Sequence, residues 1–417
     1  MVFMLSAYAE SDVTVPEEVI APVSAPLVRG MTSTVLENGL KVTVLTDPDH
    51  PVVATQIWMD IGSAHEASDE AGFAHLFEHL MFGATTNNDK DAYTLQHYRY
   101  GGTSNAYTSF DNTVYISEIP PEGHDGVLAL EADRFANLIF SEENLVNEKK
   151  IVTEELRMRG ENNPTARLLA PGLKAVFGDH PYGHSPAGTK DDIAAATLEL
   201  TKKFYTGYYR PQNAHLVVVG PVEAAATIAR VKELFGSYAG AAVTPPETPR
   251  LLGRDYEERV DLREKIPPVK ISALVYRTPA PDDADYYAFS LLTQMLSGNA
   301  VDRFREELVE NRGKAMEALT APMNLRAGSL WIAASINLPF RWTRTAFKHL
   351  HQTIDTLDSG DWMSEENLAT ARKLELRNVL ETRYFAASEA SAIGEAWSWQ
   401  RDTGLALDGK VAALKTI

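Results

Sequence analysis

The sequence predicts a protein of two similar domains, each containing both β-strands and α-helices. A chain of 417 residues is too long for one ordinary hydrophobic core, and two domains of about 200 residues each are expected. The segment 141–145, Ser-Glu-Glu-Asn-Leu, returns unchanged at 364–368 near the start of another predicted helix. This repeat indicates a tandem duplication of one structural unit.

The composition excludes several classes of protein. A hydrophobic content of 44% and a charged content of 23% are typical of a folded globular chain, and no run of eighteen apolar residues predicts a transmembrane helix. The net charge of −18 argues against nucleic acid as a partner. It is compatible with basic peptides, although it can equally serve solubility alone. Because the chain has no cysteine, any metal must be bound by histidine and carboxylate side chains.

The predicted elements of the first domain follow from local patterns. Asn38-Gly39 between two apolar runs is typical of a hairpin turn. The segment 126–140 has apolar residues at helical spacing, whereas 214–220 is a continuous apolar run typical of a buried strand. The predicted elements are strands at 34–36, 40–45 and 52–59, a helix from 72, a strand pair within 100–117, helices at 126–140 and 141–159, a helix from 189, a strand at 214–220 and a helix at 222–235.

The same patterns divide the chain. Residues 1–33 are predicted to form an extended lead-in, 34–235 a first domain, 236–254 a linker rich in glycine and proline, and 255–417 a second domain. The first nine residues end in an Ala-x-Ala pattern, which we interpret as the remnant of a secretory signal. A periplasmic location is therefore slightly favoured over a cytoplasmic start.

The segment 72–83 contains a motif that predicts metal chemistry. His75 and His79 are four residues apart and lie on the same helical face, with Glu78 beside them. Neutral imidazoles suit Zn²⁺, and a neighbouring carboxylate can remove a proton from a bound water. The surrounding residues are apolar, so the helix is expected to be buried, where unpaired polar groups are costly. The sequence predicts His75 and His79 as ligands and Glu78 as general base.

The helix beginning at Ser141 can supply a third ligand. Ser141 is an N-cap residue with glutamates in the first turn. Glu148 and Glu155 are seven residues apart, two turns along the same face of this helix. Most helical glutamates are simply solvated, so neither residue taken alone predicts a site.

The second copy retains the pattern of predicted strands and helices but not the polar residues of the motif. In the aligned positions, neutral residues replace all five polar ones: Leu291, Gln294, Met295, Ala371 and Asn378. This loss indicates that the five residues of the first copy form one functional set. The first copy also continues for roughly 40 residues beyond the point where the second stops, so we expect a truncated or processed chain whose second sheet lacks a strand unless a partner supplies it.

The segments 72–82, 105–110 and 147–156 resemble the pitrilysin, insulin-degrading enzyme and mitochondrial processing peptidase family of zinc peptidases, the inverzincins. The resemblance covers nearly the whole chain. It implies an α+β fold of two similar domains, each a largely antiparallel sheet packed with helices, and one Zn²⁺ per chain. It also implies that Glu155 is the third ligand and that Glu148 orients a ligand histidine.

The resemblance further implies how substrates and partners bind. Four such domains, from one long chain or two half-length chains, enclose a chamber in which peptides are cut, and this chain has the half length. Extended or unfolded peptides are expected to add as a strand to a sheet edge. The substrate-binding residues would be Gly102, Asn105, Ala106, Tyr107 and Thr108.

One departure from the family pattern concerns the second domain. Relatives of this length carry an Arg and, seven residues later, a Tyr that steady the substrate carbonyl in the partner's site. Val309 and Met316 occupy those positions, and neither side chain donates a hydrogen bond; Arg312 lies nearby at a different helical angle. The sequence therefore predicts a zinc endopeptidase subunit that pairs with a paralogous, zinc-less chain rather than with itself. The alternative is a non-catalytic scaffold or peptide-binding subunit of the same fold.

Overall fold

The computed structural model describes residues 30–67, 69–161, 164–238, 240, 243–251, 270–297, 303–337, 343–355, 363–405 and 407–416. Most of the predicted lead-in lies outside these residues, as do the end of the predicted linker and the start of the predicted second domain, 252–269. The proposed domain bounds therefore stay predictions.

Both halves of the chain contain strands and helices. In the first half they are β1 (Met31–Val35), β2 (Lys41–Thr46), β3 (Val53–Met59), α1 (Phe73–Leu80), α2 (Ala92–Tyr100), β4 (Thr103–Thr108), β5 (Thr113–Ile119), α3 (Pro121–Asn137), α4 (Glu142–Glu161), α5 (Pro164–Phe177), α6 (Lys190–Ala195), α7 (Leu198–Tyr208), β6 (Ala214–Gly220) and α8 (Ala224–Phe235). In the second half they are β7 (Lys270–Thr278), α9 (Tyr286–Ser297), α10 (Arg303–Arg305) continued by a π-helical turn (Glu306–Asn311), β8 (Glu317–Met323), β9 (Ser329–Asn337), α11 (Thr343–Asp355), α12 (Glu365–Glu381), α13 (Ala386–Gln400) and α14 (Asp408–Thr416).

The first half is organised around a six-stranded sheet with the order β1-β2-β6-β3-β5-β4. Only the β2–β6 pair is parallel, and the other described pairs are antiparallel. The largely antiparallel α+β fold is thus confirmed. β4 lies at one edge of the sheet, next to β5.

Helix α1 packs its apolar side against this sheet. Phe73, Leu76, Phe77 and Leu80 recur at helical spacing and are all buried in the main core. The Tyr115 hydroxyl of β5 donates a hydrogen bond to the Phe77 carbonyl, and the Phe77 ring stacks on Phe204 of α7, with 5.1 Å between centroids. Because the apolar face is buried in this core, the other face of α1, which carries the histidine motif, is left to meet α4 and the end of the edge strand β4.

The start of α1 is held by a buried carboxylate. Its N-cap residue, Gly72, has a φ of 80° and no side chain to accept the free N–H groups. Glu66 accepts hydrogen bonds from the Gly72 N–H at 2.9 Å and the Ala74 N–H at 2.8 Å, and its side chain is fully buried. His184 Nε2 lies 3.3 Å from the same carboxylate. Glu66 therefore fixes the end of α1 from which the motif begins.

A helix from the second half covers the other face of the first sheet. Trp58 of β3 is buried with Ala390 and Ile393 of α13 in a separate core cluster. Gly394 lies directly on the indole: a Cβ there would come within 2.0 Å of Trp58 Cε2. The two halves are therefore joined by close packing along β3.

Polar contacts also join the halves near the loop that leads into α1. Asp60 follows β3 and accepts hydrogen bonds from Arg326 at 2.5 Å and Arg401 at 2.7 Å. Although burial opposes it, these two guanidinium groups lower the pKa of Asp60. Asp111 accepts a hydrogen bond from the backbone N–H of Arg326 and another from the Tyr182 hydroxyl.

The second half repeats the layout of the first. Its described strands form an antiparallel sheet in the order β7-β9-β8, and α9 packs on α12 as α1 packs on α4. Ser141 and Ser364 both accept a hydrogen bond from the N–H three residues later. The predicted duplication is therefore confirmed. Among the described residues, no helix combines the length and apolar character that crossing a membrane requires.

The packing of Gly394 on Trp58 predicts that two glycine-to-alanine substitutions change the free energy of unfolding in opposite directions. Gly394→Ala should destabilise the protein by about 1 to 3 kcal/mol, because the added methyl group forces α13 off the sheet. Gly160→Ala is the matched control, since among the described residues no atom lies within 4 Å of its added Cβ. It should stabilise α4 by about 0.5 to 1 kcal/mol. Urea unfolding measures both changes, and equal effects would contradict this packing.

The contact between Glu66 and His184 predicts a pH-dependent coupling. The Glu66 hydrogen bond raises the pKa of His184, so the stabilisation is present below the ordinary imidazole pKa of about 6.5 and is lost as the pH rises through the higher folded-state value. A double-mutant cycle of Glu66→Gln and His184→Asn should give a coupling of at most about 1 kcal/mol at pH 6, because His184 is partly exposed, and the coupling should fade as the pH rises through the folded-state pKa of His184. A coupling that does not change over this range would show that the imidazole is uncharged.

Candidate metal centre

Three side chains from two helices converge beside α1. His79 Nε2 lies 3.1 Å and His75 Nε2 3.8 Å from the same oxygen, Glu155 Oε2, and all three atoms lie within 4.8 Å of one another. The histidines come from α1, and the carboxylate comes from α4, which packs on it. Glu154, the next residue along α4, is directed outward and pairs with Arg157.

This arrangement fits a zinc ion. In a tetrahedral site with bonds of about 2.0 to 2.2 Å, neighbouring ligand atoms lie about 3.3 Å apart. The spacings of 3.1 and 3.8 Å are close to that value. Two imidazole nitrogens and one carboxylate oxygen are a ligand set that catalytic zinc sites use, with the fourth position left for water.

The electrostatics favour deprotonated ligands at two of the three positions. Burial, together with the neighbouring His79, lowers the pKa of His75, so its ring is neutral at neutral pH. The hydrogen bond from His79 lowers the pKa of Glu155, which therefore stays ionised. His79 differs: although burial opposes it, Glu155 raises its pKa. A metal ion must displace a proton at that nitrogen.

Glu78 lies on the same face of α1 and is oriented by the sheet. Its Oε2 accepts a hydrogen bond from the Thr108 hydroxyl at 2.8 Å, and Thr108 ends the edge strand β4. Burial raises the pKa of Glu78, and the Thr108 hydrogen bond only partly opposes this. A carboxylate with a raised pKa is a stronger proton acceptor than an ordinary one.

Glu148 has a different partner from the one expected. It lies two turns before Glu155 on α4, and Lys90 Nζ donates a hydrogen bond to its Oε1 at 2.8 Å. Among the hydrogen bonds of the described residues, none joins Glu148 to His75 or His79. Its role in orienting a histidine stays a prediction.

The predicted substrate residues lie on or beside β4. Ala106 packs against the main core on the α1 side, and Thr108 reaches Glu78 on the same side. Tyr107 alternates to the opposite face, where its ring contacts Trp58 edge-on at 6.3 Å. Asn105 is exposed. Gly102 lets its backbone lie close to that of β5, since a Cβ there would come within 2.6 Å of the Glu118 carbonyl oxygen.

The residues expected to differ from the family pattern lie in the second half. Val309 packs against the second core, and Met316 is exposed. Arg312 pairs with Glu307 at 2.5 Å and contacts His349 Nδ1 at 2.8 Å. These contacts hold the Arg312 guanidinium on the surface of the second half.

The sequence analysis did not predict three contacts of the site. Thr108 was predicted for substrate binding, but its bond to Glu78 joins residues thirty positions apart and has no local signal. Glu66 has no signal either, because it bonds backbone groups of α1. Arg159 pairs with Glu155 Oε1, and its spacing of four residues along one helix is a pattern from which this contact could have been predicted.

Comparison with known proteins relates the chain and its fold to one family of proteases. The Helicobacter pylori zinc protease PqqE is 29% identical over 332 residues, which cover 79% of this chain and 75% of that protein. The crystal structure of a protease from Helicobacter pylori matches with a TM-score of 0.83 and 26% identity over 93% of each chain. The periplasmic protease PqqL from Escherichia coli has a similar fold, with a TM-score of 0.71 and 19% identity, and this chain covers 94% of its own length but 47% of PqqL.

Two family models match successive parts of the chain. The model described as insulinase (peptidase family M16) matches residues 41–190, which include all the residues of the candidate metal centre. The model described as peptidase M16 inactive domain matches residues 195–374. The two models together span most of the chain, which therefore belongs to peptidase family M16.

Proposed function

We propose that the chain is a zinc-dependent endopeptidase subunit that cleaves extended or unfolded peptides at the centre formed by His75, His79 and Glu155. The proposal rests on one observation: the three side chains converge beside Glu78, whose carboxylate is oriented by the Thr108 hydroxyl of the edge strand. Relatives named zinc proteases support the metal and the reaction.

The proposed chemistry assigns a separate role to each side chain. His75, His79 and Glu155 would hold one Zn²⁺, which when bound supplies Lewis acidity to a peptide carbonyl and lowers the pKa of a water. Glu78 accepts the proton of the attacking water and returns it to the leaving amine. The Thr108 hydroxyl keeps the Glu78 carboxylate in place for both transfers.

The substrate would bind along β4. Among the described residues, β4 pairs only with β5, so its outer edge can accept an extended peptide by backbone hydrogen bonds. Thr108 ends this strand and touches Glu78, which would bring a bound backbone next to the general base. Such pairing selects extended or unfolded chains rather than a particular side chain.

The proposed assembly is a heterodimer. Val309 and Met316 lack the donors that the family pattern has in the second domain, and Arg312 is held by Glu307 and His349. A paralogous, zinc-less partner would supply the missing Arg and Tyr. PqqL, of which this chain matches about half, is described as periplasmic, and we propose the same compartment for this protein.

Substitutions of three glutamates test the proposed chemistry. Glu78→Gln should retain zinc and lose cleavage of an unfolded protein by about 10²- to 10⁴-fold, because the amide cannot accept the proton. Glu155→Gln should lose zinc, whereas Glu154→Gln is the matched control, because Glu154 pairs with Arg157 away from the histidines. Metal content and peptide release are measured on the same preparations.

Two outcomes would contradict the roles assigned to these residues. Undiminished cleavage by Glu78→Gln would remove it as general base. Zinc bound without cleavage, in the wild-type chain and in its native complex alike, would favour the alternative of a peptide-binding or scaffold subunit.

If the protein works as a heterodimer, the isolated chain should have little peptidase activity. Purified alone, it should bind zinc but cleave peptides slowly, because Val309 and Met316 cannot stabilise the developing oxyanion. Adding the zinc-less chain that co-purifies with it should raise kcat. Full turnover by the isolated chain would rule out this dependence on a partner.

A further inference from the structure

We propose that Arg159 is a positioning residue that keeps Glu155 bound to the metal through a single oxygen. The inference rests on the proposed zinc centre and deepens it. Arg159 lies one helical turn after Glu155 on α4, and its guanidinium forms an ion pair with Glu155 Oε1. The other oxygen, Oε2, is the one that faces His79 and His75. The two oxygens of one carboxylate thus have separate partners.

This separation has a consequence for the coordination number. A catalytic zinc site has three protein ligands and one position open to water. A carboxylate that binds through both oxygens would occupy an additional position and crowd the water. Because the Arg159 guanidinium holds Oε1, only Oε2 of Glu155 is available to the metal. Arginine remains charged at any pH at which the protein is folded, so a change of pH does not remove this partner of Oε1.

The ion pair between Arg159 and Glu155 contributes little to the stability of the fold. The Arg159 side chain is 48% exposed, and exposed ion pairs contribute little to stability. Its removal should therefore leave α4 folded. The contact affects the site because its acceptor is a ligand, and outer partners of ligands commonly control coordination.

Arg157 is a matched control on the same helix. Its guanidinium is 44% exposed and binds both oxygens of Glu154, at 2.9 and 2.6 Å. Glu154 lies on the outer side of α4, away from the two histidines. Arg157→Gln therefore removes the same charge from the same helix without changing a ligand of the metal.

The test compares Arg159→Gln, Arg159→Lys and Arg157→Gln in the full chain. Cobalt is substituted for zinc, because four-coordinate Co²⁺ absorbs visible light more strongly than five- or six-coordinate Co²⁺. Arg159→Gln should lower this absorption, since Oε1 becomes free to bind. Arg157→Gln should match the wild type, and Arg159→Lys should lie nearer to the wild type than Arg159→Gln, because an ammonium group can still occupy Oε1.

Zinc affinity and kinetics give two further readouts. Arg159→Gln should hold zinc at least as tightly as the wild type in competition with a chelator, because a nearby positive charge is removed and a second oxygen becomes available. In the complex with the zinc-less partner, Arg159→Gln should lower kcat about 10- to 100-fold and leave KM unchanged. A role limited to stability would instead weaken zinc binding and leave the cobalt spectrum unchanged.

The outcomes separate this inference from the proposed function. A cobalt spectrum of Arg159→Gln identical to that of Arg157→Gln, or weaker zinc binding by Arg159→Gln, would overturn the role of Arg159 and leave the peptidase proposal intact. A protein that shows the expected cobalt spectra but never cleaves peptides would overturn the proposed function alone.

Discussion

The structure of the site depends on the packing of α1 between the six-stranded sheet and α7. Four apolar residues at helical spacing, with Phe77 stacked on Phe204 of α7, bury one side of a helix only two turns long. The helix is therefore held at a fixed rotation, because any other would expose this side to water. That rotation decides where His75, Glu78 and His79 are directed. The same sheet contributes Thr108, so one packing arrangement sets both the positions of the proposed ligands and the orientation of the proposed base.

The second half shows what this scaffold does without metal chemistry. At the positions aligned with His75, His79 and Glu148 it has Leu291, Met295 and Ala371, all buried in its core. Apolar side chains fill the space between α9 and α12 at no desolvation cost, whereas histidines and carboxylates in the same place are costly unless each has a partner. The polar residues of the first half therefore depart from the most stable filling of the fold, and the proposed metal ion would offset their desolvation cost.

The second half also stabilises the site from outside it. α13 packs on Trp58 of β3, and Arg326 and Arg401 hold Asp60 at the end of the same strand. The loop between Asp60 and α1 contains Glu66, which caps the helix. The position of α1 thus depends on contacts with both halves of the chain. The second half therefore supports the candidate metal centre although the proposed ligands all lie in the first half.

The sequence by itself determined the family, the duplication, the two histidines with Glu78, and the face of α4 that offers Glu148 and Glu155. These follow from local periodicity, which a 3.6-residue helix converts into a shared face. Periodicity did not distinguish the two glutamates, and Glu155 was singled out by the family resemblance alone; only the tertiary structure decided that Glu155 meets the histidines while Glu148 pairs with Lys90. Both glutamates share one face and differ only in their distance along the helix axis. Their partners are set by where α1 and Lys90 cross α4, and those crossings depend on packing between segments far apart in the chain.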